Sequence, residues 1–234
     1  MIRTSVKGVI KFMESDDAQR RRVLAAFKYA EAGRAPRSYY REAIPAIRQC
    51  LAGAITRPQM RARADALRHE ASTSSGGRHT RLMHNARGIL SFDENFGGRG
   101  FRAATSHRLS YVQGGVRIAV HPELWVFDGD EEFILKLELA VAPLDGCALQ
   151  ILAQLIYQAT VQNALDITPD HIGIMEVAAG KIHRGRRIGP RLESRIAAAL
   201  ENIEALWPSI KRPAMNSRLH AAHSSSATVI DDLT

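Results

Sequence analysis

Alternation of apolar and polar residues predicts two neighbouring strands in the middle of the chain. Over 115–127 and again over 132–140, every second residue is apolar or proline. A period of two is typical of strands with one buried face. The intervening Asp128-Gly129 is a favoured hairpin turn, so the sequence predicts an antiparallel pair.

Helical spacing of apolar residues predicts the elements around this pair. After it we expect a helix over 144–164, a short hairpin of 172–177 with 180–182, and a closing helix over 190–207. Before it we expect helices and one loop, with Pro45 kinking or shortening the third helix. They are helices over 5–14, 17–29, 37–52, 58–71 and 80–92, and a Gly- and Arg-rich loop over 93–102.

These elements indicate an α/β fold, with a mixed sheet flanked by helices and a helical amino-terminal region in front of it. The Ser- and Gly-rich stretch after residue 71 has linker composition. The predicted organisation is therefore an Arg-rich helical region over 1–71, a linker over 72–79, an α/β core over 80–212 and a flexible tail over 213–234.

Three charged residues are expected to share one face of the central strand pair. Glu123 lies on the first strand, and Lys136 and Glu138 lie on the second, all at positions opposite to the apolar ones. Carboxylate oxygens bind Mg²⁺, and a nearby lysine can position the attacking water of a phosphodiester hydrolysis. Charged residues that alternate with Leu are also typical of a solvated strand face, and the spacing alone leaves both interpretations open.

The pattern resembles the core of the PD-(D/E)xK nuclease superfamily. In that superfamily an acid after proline is followed on the next strand by an acid-x-lysine motif, and then by a helix with a glutamine and often a tyrosine. Here Pro122-Glu123 matches the first acid, Lys136-x-Glu138 is the second motif in reversed order, and Gln154 and Tyr157 lie in the following helix. The resemblance covers roughly residues 115–210.

This resemblance implies a restriction-endonuclease-like fold and a metal-dependent nucleic-acid phosphodiester hydrolase. Glu123 and Glu138 would hold Mg²⁺ or Mn²⁺, Lys136 would position the water and Gln154 would orient the site. Asn85 or Glu94, before the first strand, would supply a further ligand. Because the motif is reversed, the alternative is a catalytically inactive nuclease-fold protein that acts as a nucleic-acid-binding or protein-assembly module.

Basic residues are concentrated in the first half of the chain. Residues 1–119 contain 22 Lys and Arg against 9 Asp and Glu, whereas 120–212 contain 9 against 13. Such an asymmetry favours nucleic acid as a partner, although arginines spread over solvated helix faces explain it equally well. The predicted phosphate contacts form an amino-terminal and a carboxyl-terminal group: Arg20, Arg21, Arg22, Arg61 and Arg63, and Lys181, Arg184, Arg186, Arg187 and Arg191.

Other site classes have little support. Cys50 and Cys147 have no ligand-like spacing, and the nine His residues form no metal-binding pair on an evident helix face. No apolar run approaches the length of a membrane helix, and the start lacks the apolar core of a signal peptide. We therefore expect a cytoplasmic protein without a membrane partner, in which the tail over 214–234 offers a docking segment for another protein.

Overall fold

The structure is a computed structural model that describes residues 1–29, 39–140, 142–186 and 189–212. Within these ranges the chain is a mixed α/β fold, as the sequence predicts. The helices are α1 (Val6–Glu14), α2 (Asp17–Lys28), α3 (Ala43–Leu51), α4 (Arg57–Ser72), α5 (Gly76–Phe96), α6 (Gly146–Gln162) and α7 (Pro190–Leu206). Short 3₁₀ turns span Pro169–His171 and Trp207–Ser209.

The described strands form two sheets. They are β1 (Ile2–Ser5), β2 (Arg102–Ala103), β3 (Leu109–Gln113), β4 (Val116–Val120), β5 (Leu124–Asp128), β6 (Glu131–Glu138), β7 (Ile172–Glu176) and β8 (Lys181–Arg184). One sheet has the order β1-β4-β3, and the other has the order β2-β5-β6-β7-β8. In the second sheet β6 and β7 are parallel, while the other neighbours are antiparallel.

The predicted single strand over 115–127 is wrong, because the chain changes sheets in its middle. β4 pairs with β1 and β3, whereas β5 pairs with β2 and β6. The break falls at 121–123, where Pro122 lacks the N–H group that a ladder requires. The alternation continues across the break, so the pattern gives no sign of the change.

The hairpin between β5 and β6 confirms the second half of the predicted pair. Leu124 pairs with Leu135 and Asp128 pairs with Glu131, which leaves Gly129 and Asp130 as the two loop residues. Gly129 has a φ of +68°, a conformation that glycine adopts without steric cost in tight hairpin turns. The turn is therefore one residue later than Asp128-Gly129.

α6 connects β6 to the parallel strand β7 and covers one face of the five-stranded sheet. Asp145 caps the helix by accepting a hydrogen bond from the Ala148 N–H at 2.7 Å. Buried side chains of α6 form an apolar core with Trp125, Ile134 and Ile174 of this sheet. Buried side chains of α1, α7 and the three-stranded sheet belong to the same core. β8 follows β7 as the predicted hairpin partner, and α7 closes the fold as expected.

The opposite face of this sheet packs against α3, α4 and α5. The predicted linker over 72–79 is largely helical, because α4 ends at Ser72 and α5 begins at Gly76. The two helices are joined by the buried carboxylate of Asp93 in α5, which accepts hydrogen bonds from Arg57 and Arg61 of α4. The amino-terminal helices thus share one apolar core with the sheet.

Several other boundaries differ from the prediction. The first predicted helix, over 5–14, corresponds to α1, but the strands β1, β2 and β3 were not predicted. α3 begins at Ala43 rather than at 37, so that Pro45 lies in its first turn, where a proline is tolerated. The predicted loop over 93–102 begins with the last turn of α5. Residues 30–38 and the predicted tail lie outside the described residues.

Candidate functional site

Charged side chains lie along one end of the five-stranded sheet, on its α6 face. Leu124 pairs with Leu135, Glu138 pairs with Glu176, and Ile174 pairs with His183. Because side chains alternate between the faces of a strand, this register places five neighbouring residues on the α6 face, four of them in β6, β7 and β8 and one immediately before β5. We call them the charged row: Glu123, Lys136, Glu138, Glu176 and His183.

Glu123 and Lys136, which the sequence places on one face, form an ion pair. One carboxylate oxygen of Glu123 accepts a hydrogen bond from the Lys136 ammonium group, and the other accepts one from the Leu137 N–H at 2.9 Å. The ammonium also donates to the His121 carbonyl at 3.2 Å. Only 14% of the Glu123 side chain and 17% of the Lys136 side chain are exposed. Both oxygens of this predicted metal ligand therefore have donors within the chain.

Glu138 is also paired with an internal ammonium group. Its side chain is 4% exposed and lies 2.8 Å from the Nζ atom of Lys7 in α1. The Ala140 N–H donates a weaker hydrogen bond to the other oxygen at 3.4 Å. Burial and the negative charge of Glu138 raise the pKa of Tyr40 above its ordinary value.

Glu176 extends the row beyond the predicted residues. It is buried beside Glu138 on the parallel strand β7. Its carboxylate accepts a hydrogen bond from the Leu144 N–H at 3.0 Å, in the connection to α6, and lies 2.6 Å from the Nε2 atom of His183. Two carboxylates thus lie at the carboxyl ends of adjacent parallel strands, where α/β sheets commonly bind ligands.

The described row does not have the donor set of a preformed Mg²⁺ or Mn²⁺ centre. Magnesium in proteins takes hard oxygen ligands in nearly octahedral geometry. Here the ammonium of Lys136 occupies one oxygen of Glu123, and that of Lys7 occupies one oxygen of Glu138. Among the described residues, no group of three or more His, Cys, Asp or Glu side chains is arranged to hold a metal ion.

The other residues proposed for catalysis form no hydrogen bond with the described residues of the row. Gln154 is buried in α6, and its amide donates to Glu193 of α7 at 3.3 Å. Asn85 is fully buried and has a structural role, because it accepts hydrogen bonds from the backbone N–H groups of Glu42 and Ala43 at the start of α3. Glu94 lies near the end of α5 and lines a separate small cleft.

Most of the predicted amino-terminal phosphate contacts have partners within the protein. Arg20 stacks on Phe12 and pairs with Asp17, while Arg61 binds Asp93. Although burial raises the pKa of the Asp93 carboxyl, hydrogen bonds from Arg57 and Arg61 hold that pKa below its ordinary value. Arg63 donates to Gln49, and Arg21 makes a long contact of 3.5 Å with Ser209. Arg22 is exposed in α2.

The carboxyl-terminal basic group is more open to solvent. Lys181, Arg184, Arg186 and Arg191 are exposed, and none of them forms an ion pair with another described residue. The guanidinium of Arg184 stacks on the Phe133 ring at 4.6 Å. Arg187 lies outside the described residues. Arg184, Arg186 and Arg191 line a cleft of about 790 Å³ between the starts of α6 and α7 and strand β8.

Sequence reasoning missed Glu176, His183 and Lys7. Glu176 lies on the same face of β7 as the buried Ile172 and Ile174. A carboxylate on the buried face of an otherwise apolar strand is the sequence signal that could have identified it. The position of Lys7 depends on how α1 packs, for which the sequence offers no local indication.

No family model, curated protein or solved structure matches this chain. In the parts of the chain that the structure describes, no helix is both long and apolar enough to cross a bilayer.

Proposed function

We propose that this chain is a nucleic-acid-binding module with a nuclease-like core that does not cleave its ligand. The observation that supports this proposal best is the state of the two expected metal ligands. Glu123 is bound by Lys136, and Glu138 is bound by Lys7. In each pair an ammonium group from the chain already neutralises the carboxylate that a divalent ion would need.

Binding is supported by the exposed basic residues of β8 and the start of α7. Arg186 and Arg191 have no ion-pair partner among the described residues, unlike Arg57 and Arg61 of the amino-terminal half. Arginines in open positions suit phosphate oxygens, because the guanidinium offers several N–H donors in a planar fork. Phosphate contacts fix position but carry no sequence information, so we expect binding without sequence preference.

Fluorescence anisotropy with short labelled DNA and RNA strands tests the proposal. Measurements in EDTA at several salt concentrations should show binding that weakens as salt rises, by about 0.7 log units per phosphate contact for each log unit of salt on single strands. Replacing Arg186 and Arg191 together by Gln should reduce both the affinity and this slope. Arg78→Gln is the matched control, since Arg78 is also exposed but already pairs with Glu70. Absence of binding at the lowest salt would overturn the proposal.

Hydrolysis is the second candidate function, and the pairing of Glu138 with Glu176 favours it. Two buried carboxylates in direct register repel each other unless cations lie nearby, and active sites commonly hold such acids. Lys7 is 61% exposed, so it is the more easily displaced of the two lysines. A cleavage assay with Mg²⁺ and with Mn²⁺ distinguishes this candidate from the first.

A further inference from the structure

The cleft beside the charged row combines basic and apolar walls. Its basic side includes His183, Arg186 and Arg191, and its apolar side includes Leu149 and Leu192. No Asp or Glu is among the described residues that line it. The complement of such a cleft is a ligand with an anionic end and an apolar end.

Backbone groups add to the attraction for an anion. α7 begins at Pro190, and its N-cap residue, Gly189, has no side chain that could accept hydrogen bonds from the first turn. Pro190 has no N–H group and the Leu192 N–H already donates to the Gly189 carbonyl at 3.1 Å, so the attraction comes from the positive end of the helix dipole. Gly189 and Arg191 both line the cleft, so this helix start and the arginines face the same space.

The size of the cleft restricts the ligand further. A volume of about 790 Å³ lies within the range of small-molecule sites, about 300 to 1,000 Å³. Inorganic phosphate would contact only the basic wall, whereas an uncharged base would leave the arginines without a partner. A nucleotide fits both walls, because its phosphate and its base lie at opposite ends of the sugar.

We propose that this cleft binds a phosphorylated nucleoside. The phosphate contacts His183, Arg186 and Arg191, and the base packs against Leu149 and Leu192. The inference deepens the proposed function and rests on it, because the nucleoside is taken to be the terminal unit of a nucleic-acid strand. A free mononucleotide offers the same chemistry, and the experiment separates the two sources.

Isothermal titration calorimetry tests the cleft itself. A nucleoside monophosphate should bind more tightly than the unphosphorylated nucleoside and more tightly than inorganic phosphate. Arg191→Gln and Leu149→Asp should each weaken monophosphate binding about tenfold or more, with Arg186→Gln as a second test of the basic wall and Arg78→Gln as the unaffected control. Thermal melts should confirm that each variant is folded. Equal binding by wild type and both wall variants, or no binding of any monophosphate, would overturn the inference.

Strand competition identifies the source of the nucleotide. A linear strand with a terminal phosphate should compete better than the same strand with hydroxyl ends, and a circular strand should compete least. Tight monophosphate binding without any end preference would support the cleft and assign it to free nucleotides. Strand binding without end preference and without monophosphate binding would overturn this inference alone. Loss of all strand binding, with monophosphate binding retained, would overturn only the proposed function.

Discussion

Replacing Lys136 by Met removes the ammonium group that Glu123 contacts, while an unbranched side chain of similar length remains. Glu123 would keep the Leu137 N–H as a donor but would lose its only described counter-charge. Removing one partner of a buried ion pair costs about 3–5 kcal/mol. Since Glu123 retains some exposure and one hydrogen bond, we expect a loss of about 2–3 kcal/mol in the free energy of unfolding.

This loss should be visible in a thermal melt and should respond to metal ions. For a chain of this size, 1 kcal/mol corresponds to about 2–4 °C, so Tm should fall by about 5–10 °C. With the ammonium gone, Glu123 becomes available to a divalent ion, and its diagonal neighbour Glu138 joins it as a ligand by displacing Lys7. Mn²⁺ at about ten times its dissociation constant should raise the free energy of unfolding of Lys136→Met by about 1.4 kcal/mol. The Tm of the wild type should not change with Mn²⁺.

The double variant Glu123→Gln with Lys136→Met is the matched control. It contains neither charge of the pair, so it should be more stable than Lys136→Met and should not respond to Mn²⁺. Wild-type stability in Lys136→Met would contradict the role given to the ammonium. An equal Mn²⁺ response in both variants would mean that the ion binds elsewhere.

Three further substitutions test the fold around the site. Asp93→Asn should lower the free energy of unfolding by about 1–3 kcal/mol, measured in urea at neutral pH. The folded-state pKa of Asp93 lies below its ordinary value of 3.8, so the wild type should lose this stabilisation as pH falls through the folded pKa. The variant should show no such loss. Gly185→Ala should lower the free energy of unfolding by about 1–3 kcal/mol, because the new Cβ would lie 2.2 Å from the Pro169 carbonyl oxygen. Gly98→Ala is the control, since a Cβ at that position has no atom within 4 Å. Equal melting temperatures of the two variants would refute the steric reason. Asn85→Ala should lower the free energy of unfolding by about 2–4 kcal/mol, because it removes four hydrogen bonds to backbone groups. A melting temperature equal to that of the wild type would show that these bonds do not stabilise the fold.

Local patterns were enough to predict the elements that form hairpins or follow them directly. The turn at Gly129 and the alternation on both sides identified β5 and β6, and helical spacing identified α6 and α7. The break at Pro122 was missed because residues on both sides of it keep the same parity. A change of sheet depends on partners far away in the chain, such as β1, which pairs with β4.

The same distinction explains which site residues were predicted. Glu123 and Lys136 belong to one hairpin, so their contact follows from local register. Glu176 meets Glu138 only through the parallel pairing that α6 makes possible. Lys7 is 131 positions from Glu138 in sequence, and no periodicity relates two residues so far apart.

A cleavage and binding assay on one sample tests the proposed function most directly. Labelled single and double strands are incubated with purified protein in EDTA, in Mg²⁺ and in Mn²⁺, and bound strands are then recovered and their length is measured. We predict equal affinity in the three conditions and strands of unchanged length. Metal-dependent shortening by the wild type that disappears in both Glu123→Gln and Glu138→Gln would contradict the proposal and establish the hydrolase instead.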